Sequence, residues 1–166
     1  MNINQTHSYN HNLEEVFALF ANPGFMEQKY SALGARNFKA KSVKLENTEL
    51  LVDTRREVPV SEDTPSVIKR FVGEWNRTRQ KEQWQKQNDG WHCQFKVDIS
   101  GVPARIQGTM HLRPTENGCE NEVSINVSSS IPLIGETLSR FIGENIDDLA
   151  QKEYKVILKH LESVTA

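Results

Sequence analysis

Residues 131–161 read IPLIGETLSRFIGENIDDLAQKEYKVILKHL, with apolar residues recurring at helical intervals: Ile134, Leu138, Phe141, Ile142, Ile146, Leu149, Val156, Ile157 and Leu161. Pro132 punctuates the chain just ahead of the run. The spacing predicts a helix from Ile134 to about Leu161, roughly 28 residues and roughly 40 Å long at 1.5 Å per residue. An element of that length with one apolar stripe needs an extended apolar surface to cover.

The stretch upstream supplies one. Trp91, Cys93, Phe95, Val97 and Ile99 alternate with His92, Gln94, Lys96 and Asp98, the period-two pattern of a strand with one face on a core and one in water. Ser100-Gly101 turns the chain into Ala104, Ile106, Gly108, Met110 and Leu112, and Glu116-Asn117-Gly118 turns it again into Val123, Ile125 and Val127. Ahead of these, Asn88-Asp89-Gly90 is a hairpin signal. It closes a strand from Glu74 to Gln87 that is polar on both faces apart from Trp75 and Trp84. Pro65 opens a short apolar stretch (Val67, Ile68, Phe71, Val72) of one or two helical turns, closed by Gly73. From Arg36 to Pro59 two more strands turn at Glu46-Asn47.

At the start, Asn2 to Tyr9 alternates Ile3, Gln5, His7 and Tyr9 against polar partners and reads as a strand. Asn12 is a fitting N-cap for a short helix carrying Leu13, Val16, Phe17 and Phe20, with Glu14 and Glu15 in the first turn. Asn22-Pro23-Gly24 ends it, and Phe25, Met26, Tyr30 and Leu33 form a second short helix stopping at Gly34. The expected class is α+β: one domain over residues 1–166, with a curved antiparallel sheet of about seven strands wrapped on a long C-terminal helix and two short helices after the first strand.

This order resembles the helix-grip fold of the START-like (SRPBCC) superfamily, which includes lipid-transfer START domains, birch-pollen allergen-like proteins and polyketide cyclases or aromatases. Ile131-Pro132-Leu133-Ile134-Gly135-Glu136 looks like the segment that opens the last helix in many bacterial members. Arg56-Glu57-Val58-Pro59, then Phe71-Val72-Gly73 and Trp75, is similar to a bacterial branch of unknown function. The resemblance implies a cavity between sheet and helix that takes a small apolar or amphipathic molecule, lipid-like or polyketide-like. It implies no catalytic signature.

Composition narrows the function classes. Lys and Arg number 20 against 22 Asp and Glu, a formal net charge of −2, without the basic excess that phosphate backbones select. Nucleic acid is not an expected partner. The opening MNINQTHSYNHNLEEV lacks a basic segment followed by an apolar one, and no run of about 18 apolar residues occurs, so a cytoplasmic chain without a transmembrane segment is expected. The two cysteines, Cys93 and Cys119, lie on strands separated by a third and should be free thiols.

No phosphate loop, His-Glu-x-x-His, Cys-x-x-Cys or Gly-x-Ser-x-Gly signature is present. No cofactor, metal or catalytic residue is therefore assigned. His7 and His11 lie on strand and loop, where a four-residue spacing does not juxtapose them. His92 and His111 fall on outward phases and read as solvated, and His160 as favouring a helix C-terminus. The candidate ligand-binding residues are Phe25, Tyr30, Arg56, Phe71, Trp75, Phe95, Ile106, Met110, Leu138, Phe141 and Ile142. Thr54 and Arg56 share the phase of Leu50 and Val52, while Arg77 and Arg79 share that of Trp75. If those phases point inward, the arginines are anchors for an anionic head group. The leading expectation is non-catalytic binding; a cyclase or aromatase using an inward acid or base, and a protein-partner-binding module, are the alternatives.

Overall fold

A computed structural model describes residues 1–165. Its elements follow in the order β1 (Asn2–Tyr9), α1 (Leu13–Phe20), α2 (Pro23–Ala32), β2 (Arg36–Glu46), β3 (Glu49–Pro59), α3 (Ser66–Lys69), β4 (Trp75–Gln87), β5 (Gly90–Ile99), β6 (Arg105–Thr115), β7 (Gly118–Ser128) and α4 (Gly135–Thr165). The strands form one antiparallel seven-stranded sheet ordered β1-β7-β6-β5-β4-β3-β2. Only β1 breaks the meander, crossing over to pair with β7 from Asn2↔Asn126 to Tyr9↔Cys119. This is the helix-grip arrangement, with α4 lying over β7 and β1 and reaching α2.

Local chemistry explains the boundaries. Asn12 Oδ1 accepts from the Glu15 backbone N–H at 2.9 Å and caps α1; Asn22 accepts from Gly24 and Phe25 and caps α2, where Pro23 takes the first position that needs no N–H. Gly34, with φ at 88°, supplies the left-handed turn into β2. β6 runs three residues past the expected Leu112 and includes Pro114. Pairing with β5 ends at Trp91↔Leu112, so the missing proline N–H faces no partner strand. The last helix extends to Thr165 rather than stopping near Leu161.

Cys93 on β5 and Cys119 on β7 are buried free thiols with β6 between them. Burial pushes both thiols up, Cys119 to about 11, so neither is a ready thiolate.

The buried apolar residues fall into two clusters. One gathers α1, α2 and the β4–β5 hairpin end, where Phe17 stacks on Trp91 at 3.9 Å and meets Trp84 edge-on at 5.9 Å. The other gathers Ile3, Ile68, Ile106, Val123, Ile125, Val127, Leu138 and Ile142. Phe95 and Met110 pack against both.

Candidate functional site

Between the inner face of the sheet, α2 and α4 lies a cavity of about 530 Å³. Its sheet wall is divided along the strand order. From β5 through β7 the inward side chains Phe95, Val97, Ile99, Ile106, Met110, Val123 and Ile125 are apolar, with Asn121 near the start of β7 as the polar exception. On β3 and β4 the inward positions are Thr54, Arg56, Val58, Asn76, Thr78, Gln80, Glu82 and Trp84, mostly polar. The polarity of β4 on both faces thus has a reason: its inner face meets the cavity, its outer face solvent.

The polar half is completed by helices. Lys29 on α2 pairs with Glu153 on α4 at 3.4 Å, its side chain 13% exposed. The Arg56 guanidinium lies over the Tyr30 ring at 3.9 Å, and its Nη2 donates to Gln80 Oε1 at 3.2 Å. Burial alone would depress the Lys29 ammonium, but Tyr30, Glu153 and Glu82 around it more than offset this, so it is held charged. Burial raises the Glu82 carboxyl, which the cations Lys29 and Arg56 only partly oppose. Glu82 makes no ion pair within 4.0 Å among the described residues, unlike Glu153.

A second polar group lines the β1–β7 flank. His7 Nε2 donates to Gln5 Oε1 at 2.6 Å, its ring stacks on Tyr154 at 4.5 Å, and Gln5 Nε2 donates to Asp147 on α4. Burial lowers the His7 imidazole, with Glu153 opposing, so the ring is neutral. Buried polar atoms of cavity-lining residues that lack a protein partner include Tyr9 Oη, Arg56 Nη1 and Asn121 Oδ1. A buried polar atom left so costs about 1–3 kcal/mol, a cost that a polar group bound in the cavity can offset.

Of the eleven candidates, Phe25, Tyr30, Arg56, Phe95, Ile106, Met110, Leu138, Phe141 and Ile142 line the cavity. Phe71 and Trp75 do not. Phe71 packs under its neighbour Arg70 at 4.8 Å, beyond the short helix α3. Trp75 is turned to the outer face, where Arg36 lies over its ring at 3.8 Å, and Arg77 and Arg79 share that outward phase. Arg79 instead forks onto Asp53 on the outer face, at 3.1 and 2.8 Å. The register settles the point: Trp84 pairs with the inward Cys93, and Trp75, nine residues earlier on a strand of period two, must face the opposite way.

The sequence reading missed Lys29, Glu82 and Glu153, and the signal was present for each. Lys29 falls on the stripe of Met26, Tyr30 and Leu33, and Glu153 on that of Ile146, Leu149 and Ile157. Charges at core-facing positions mark either an error or a site. Glu82 shares the phase of Trp84, two residues on. Glu82 and Glu153 are inward acids that the sequence reading did not assign. His160, read as serving a helix end, packs on Phe25 at 4.7 Å.

A curved sheet gripping a long helix around an amphipathic cavity defines a helix-grip α+β protein. Within that class the chain belongs to the DUF2505 family, described as a protein of unknown function, whose pattern matches residues 4–161. No curated protein matches the sequence. Among solved structures, TTHA0849 from Thermus thermophilus superposes with a TM-score of 0.68 at 13% identity, each chain covered in full. The Zhui aromatase/cyclase from Streptomyces sp. R1128 superposes at 0.66 with 7% identity, over 100% of this chain and 96% of that one. The Q3J4M4_RHOS4 protein from Rhodobacter sphaeroides gives 0.59 at 12%, over 98% and 93%. At these identities the likeness is one of fold.

Proposed function

We propose that this chain is a START-like binding protein for a small amphipathic molecule. The apolar body of the ligand rests on Phe95, Met110, Ile106, Phe141 and Ile142, and its polar end meets Arg56, Lys29 and Glu82. One observation carries the reading: a cavity of about 530 Å³ whose sheet wall changes from apolar to polar between β5 and β4. That volume is within the roughly 300–1,000 Å³ of small-molecule sites. A solid core has no use for the free Arg56 Nη1 and Tyr9 Oη in its lining, whereas polar groups of a bound ligand can pair with them.

Titration with an anilinonaphthalene sulfonate probe and with a medium-chain fatty acid tests this. Saturable one-to-one uptake is expected, with Arg56→Leu weakening both anionic probes by about tenfold, the scale of one charge-assisted hydrogen bond. Absence of any saturable uptake, or uptake indifferent to Arg56→Leu, removes the reading.

Glu82 favours a second reading, an enzyme of the aromatase/cyclase kind. A carboxyl raised by burial and facing the cavity is suited to general acid–base chemistry. In that case Glu82→Gln leaves probe binding within about twofold of wild type but abolishes ring closure of a polyketide-like substrate. A binding protein has no such turnover to lose.

A further inference from the structure

We propose that Asp89, His92 and His111, on the face of the sheet away from the cavity, bind one divalent transition-metal ion of the zinc class. His92 and His111 are direct cross-strand partners of β5 and β6. Residues so paired point to the same face with Cβ atoms about 5 Å apart. Their rings stack at 3.9 Å with 20° between planes. Both Nε2 atoms turn to one carboxylate: His92 to Asp89 Oδ1 at 2.8 Å, His111 to Oδ2 at 3.4 Å. The Asp89 backbone carbonyl is a further oxygen, 3.3 Å from His111 Nε2. The hairpin holds Asp89 in place, because Gly90 follows at φ 124° and turns the chain back over the two strands.

Distances decide that this is more than a polar surface cluster. Zinc sits about 2.0–2.2 Å from imidazole nitrogen and carboxylate oxygen, so neighbouring donors of a tetrahedral site lie roughly 3.3–3.5 Å apart. The His111 separation of 3.4 Å already matches that edge, the His92 separation of 2.8 Å is shorter and must open to it, and all three ligand groups converge within 4.8 Å. The stacked rings must turn about their side-chain bonds for both in-plane Nε2 lone pairs to meet one ion. The ion takes the place of the proton that each Nε2 shares with Asp89; that proton passes through solvent to Nδ1 of the same ring, so each imidazole binds the ion as its neutral Nδ1–H tautomer. Two imidazoles and one carboxylate suit zinc or copper(II) rather than magnesium or calcium. With the Asp89 side chain 61% exposed, the fourth position opens to water, so the ion exchanges and is not a buried structural centre. Its effect on the fold is local: it ties the β4–β5 turn to β6.

The test is calorimetric titration of zinc chloride into chelator-treated protein lacking any histidine tag. One saturable equivalent per chain is expected, with His92→Asn and His111→Asn each weakening it by about tenfold or more, since even outer-shell partners of a metal act on that scale. His7→Gln should leave the titration unchanged, and cobalt(II) should give visible absorption that His111→Asn abolishes. If His111→Asn does not fold, Asp89→Ala in the exposed turn carries the same comparison. No saturable uptake, or uptake equal in wild type and the folded variants, overturns the site.

Discussion

Glu82 on β4 and His7 on β1 stand on opposite flanks of one cavity, and the same burial drives both toward their neutral forms, the carboxyl upward and the imidazole downward. Their contributions to stability therefore have opposite signs with pH. Glu82 binds its proton more tightly folded than unfolded, so its contribution is complete below the ordinary carboxyl value of 4.5 and is lost as pH rises through the raised one. Folded His7 binds its proton less tightly, so stability is lost as pH falls below the ordinary 6.5 toward the lowered value. Urea denaturation between about pH 7.5 and 5.5, the ordinary imidazole range, should show His7→Gln with a flatter acid decline than wild type. Glu82→Gln should be more stable relative to wild type at about pH 8 than at about pH 4. Parallel profiles for wild type and both variants would mean that neither group is buried as described. At this scale the sequence was legible for apolar residues, whose phase announces their side of the sheet. It was less so for polar ones, because a polar residue facing a cavity and one facing water look alike until the strand's register is known.

Among the elements, caps and turns were read most directly, since their chemistry lies within a few residues. Asn12 reaches only three residues along to cap α1, and Asn12→Ala should cost about 1 kcal/mol in chemical denaturation. Gly90 is more demanding: a Cβ there would stand 2.1 Å from the Leu112 carbonyl oxygen, on a backbone already at φ 124°. Gly90→Ala should destabilise by roughly 1–3 kcal/mol and, by shifting the turn, weaken zinc uptake at Asp89 as well. A variant as stable as wild type would show that the hairpin relaxes freely. The amphipathic stripe of α4 was equally legible, yet what it grips was not. Its Glu153 meets Lys29 from an element more than a hundred residues earlier, and no local pattern encodes that pairing.

For the whole molecule the question is whether the space between the two apolar clusters is hollow, and added bulk answers it. Val97 lines the cavity from near the C-terminal end of β5, whereas Leu112 is fully buried in the cluster beside Trp91. Overpacking a filled core costs about 1–3 kcal/mol, so Leu112→Trp should lose at least that much. Val97→Trp should lose less than about 1 kcal/mol while excluding the naphthalene probe. Equal losses at the two positions would mean that the cavity is closed by packing. Residue order and periodicity by themselves determined the α+β class, the seven strands and the long final helix, because turns and hydrophobic phase are written within short windows of chain. The nine cavity-lining candidates were legible for the same reason. Only the tertiary structure decided that Trp75 and Arg79 face out while Glu82 faces in, that Lys29 and Glu153 meet, and that two outward histidines converge on Asp89. Each depends on strand register or on contacts between distant elements, which are set by the packing of the whole sheet against its helices.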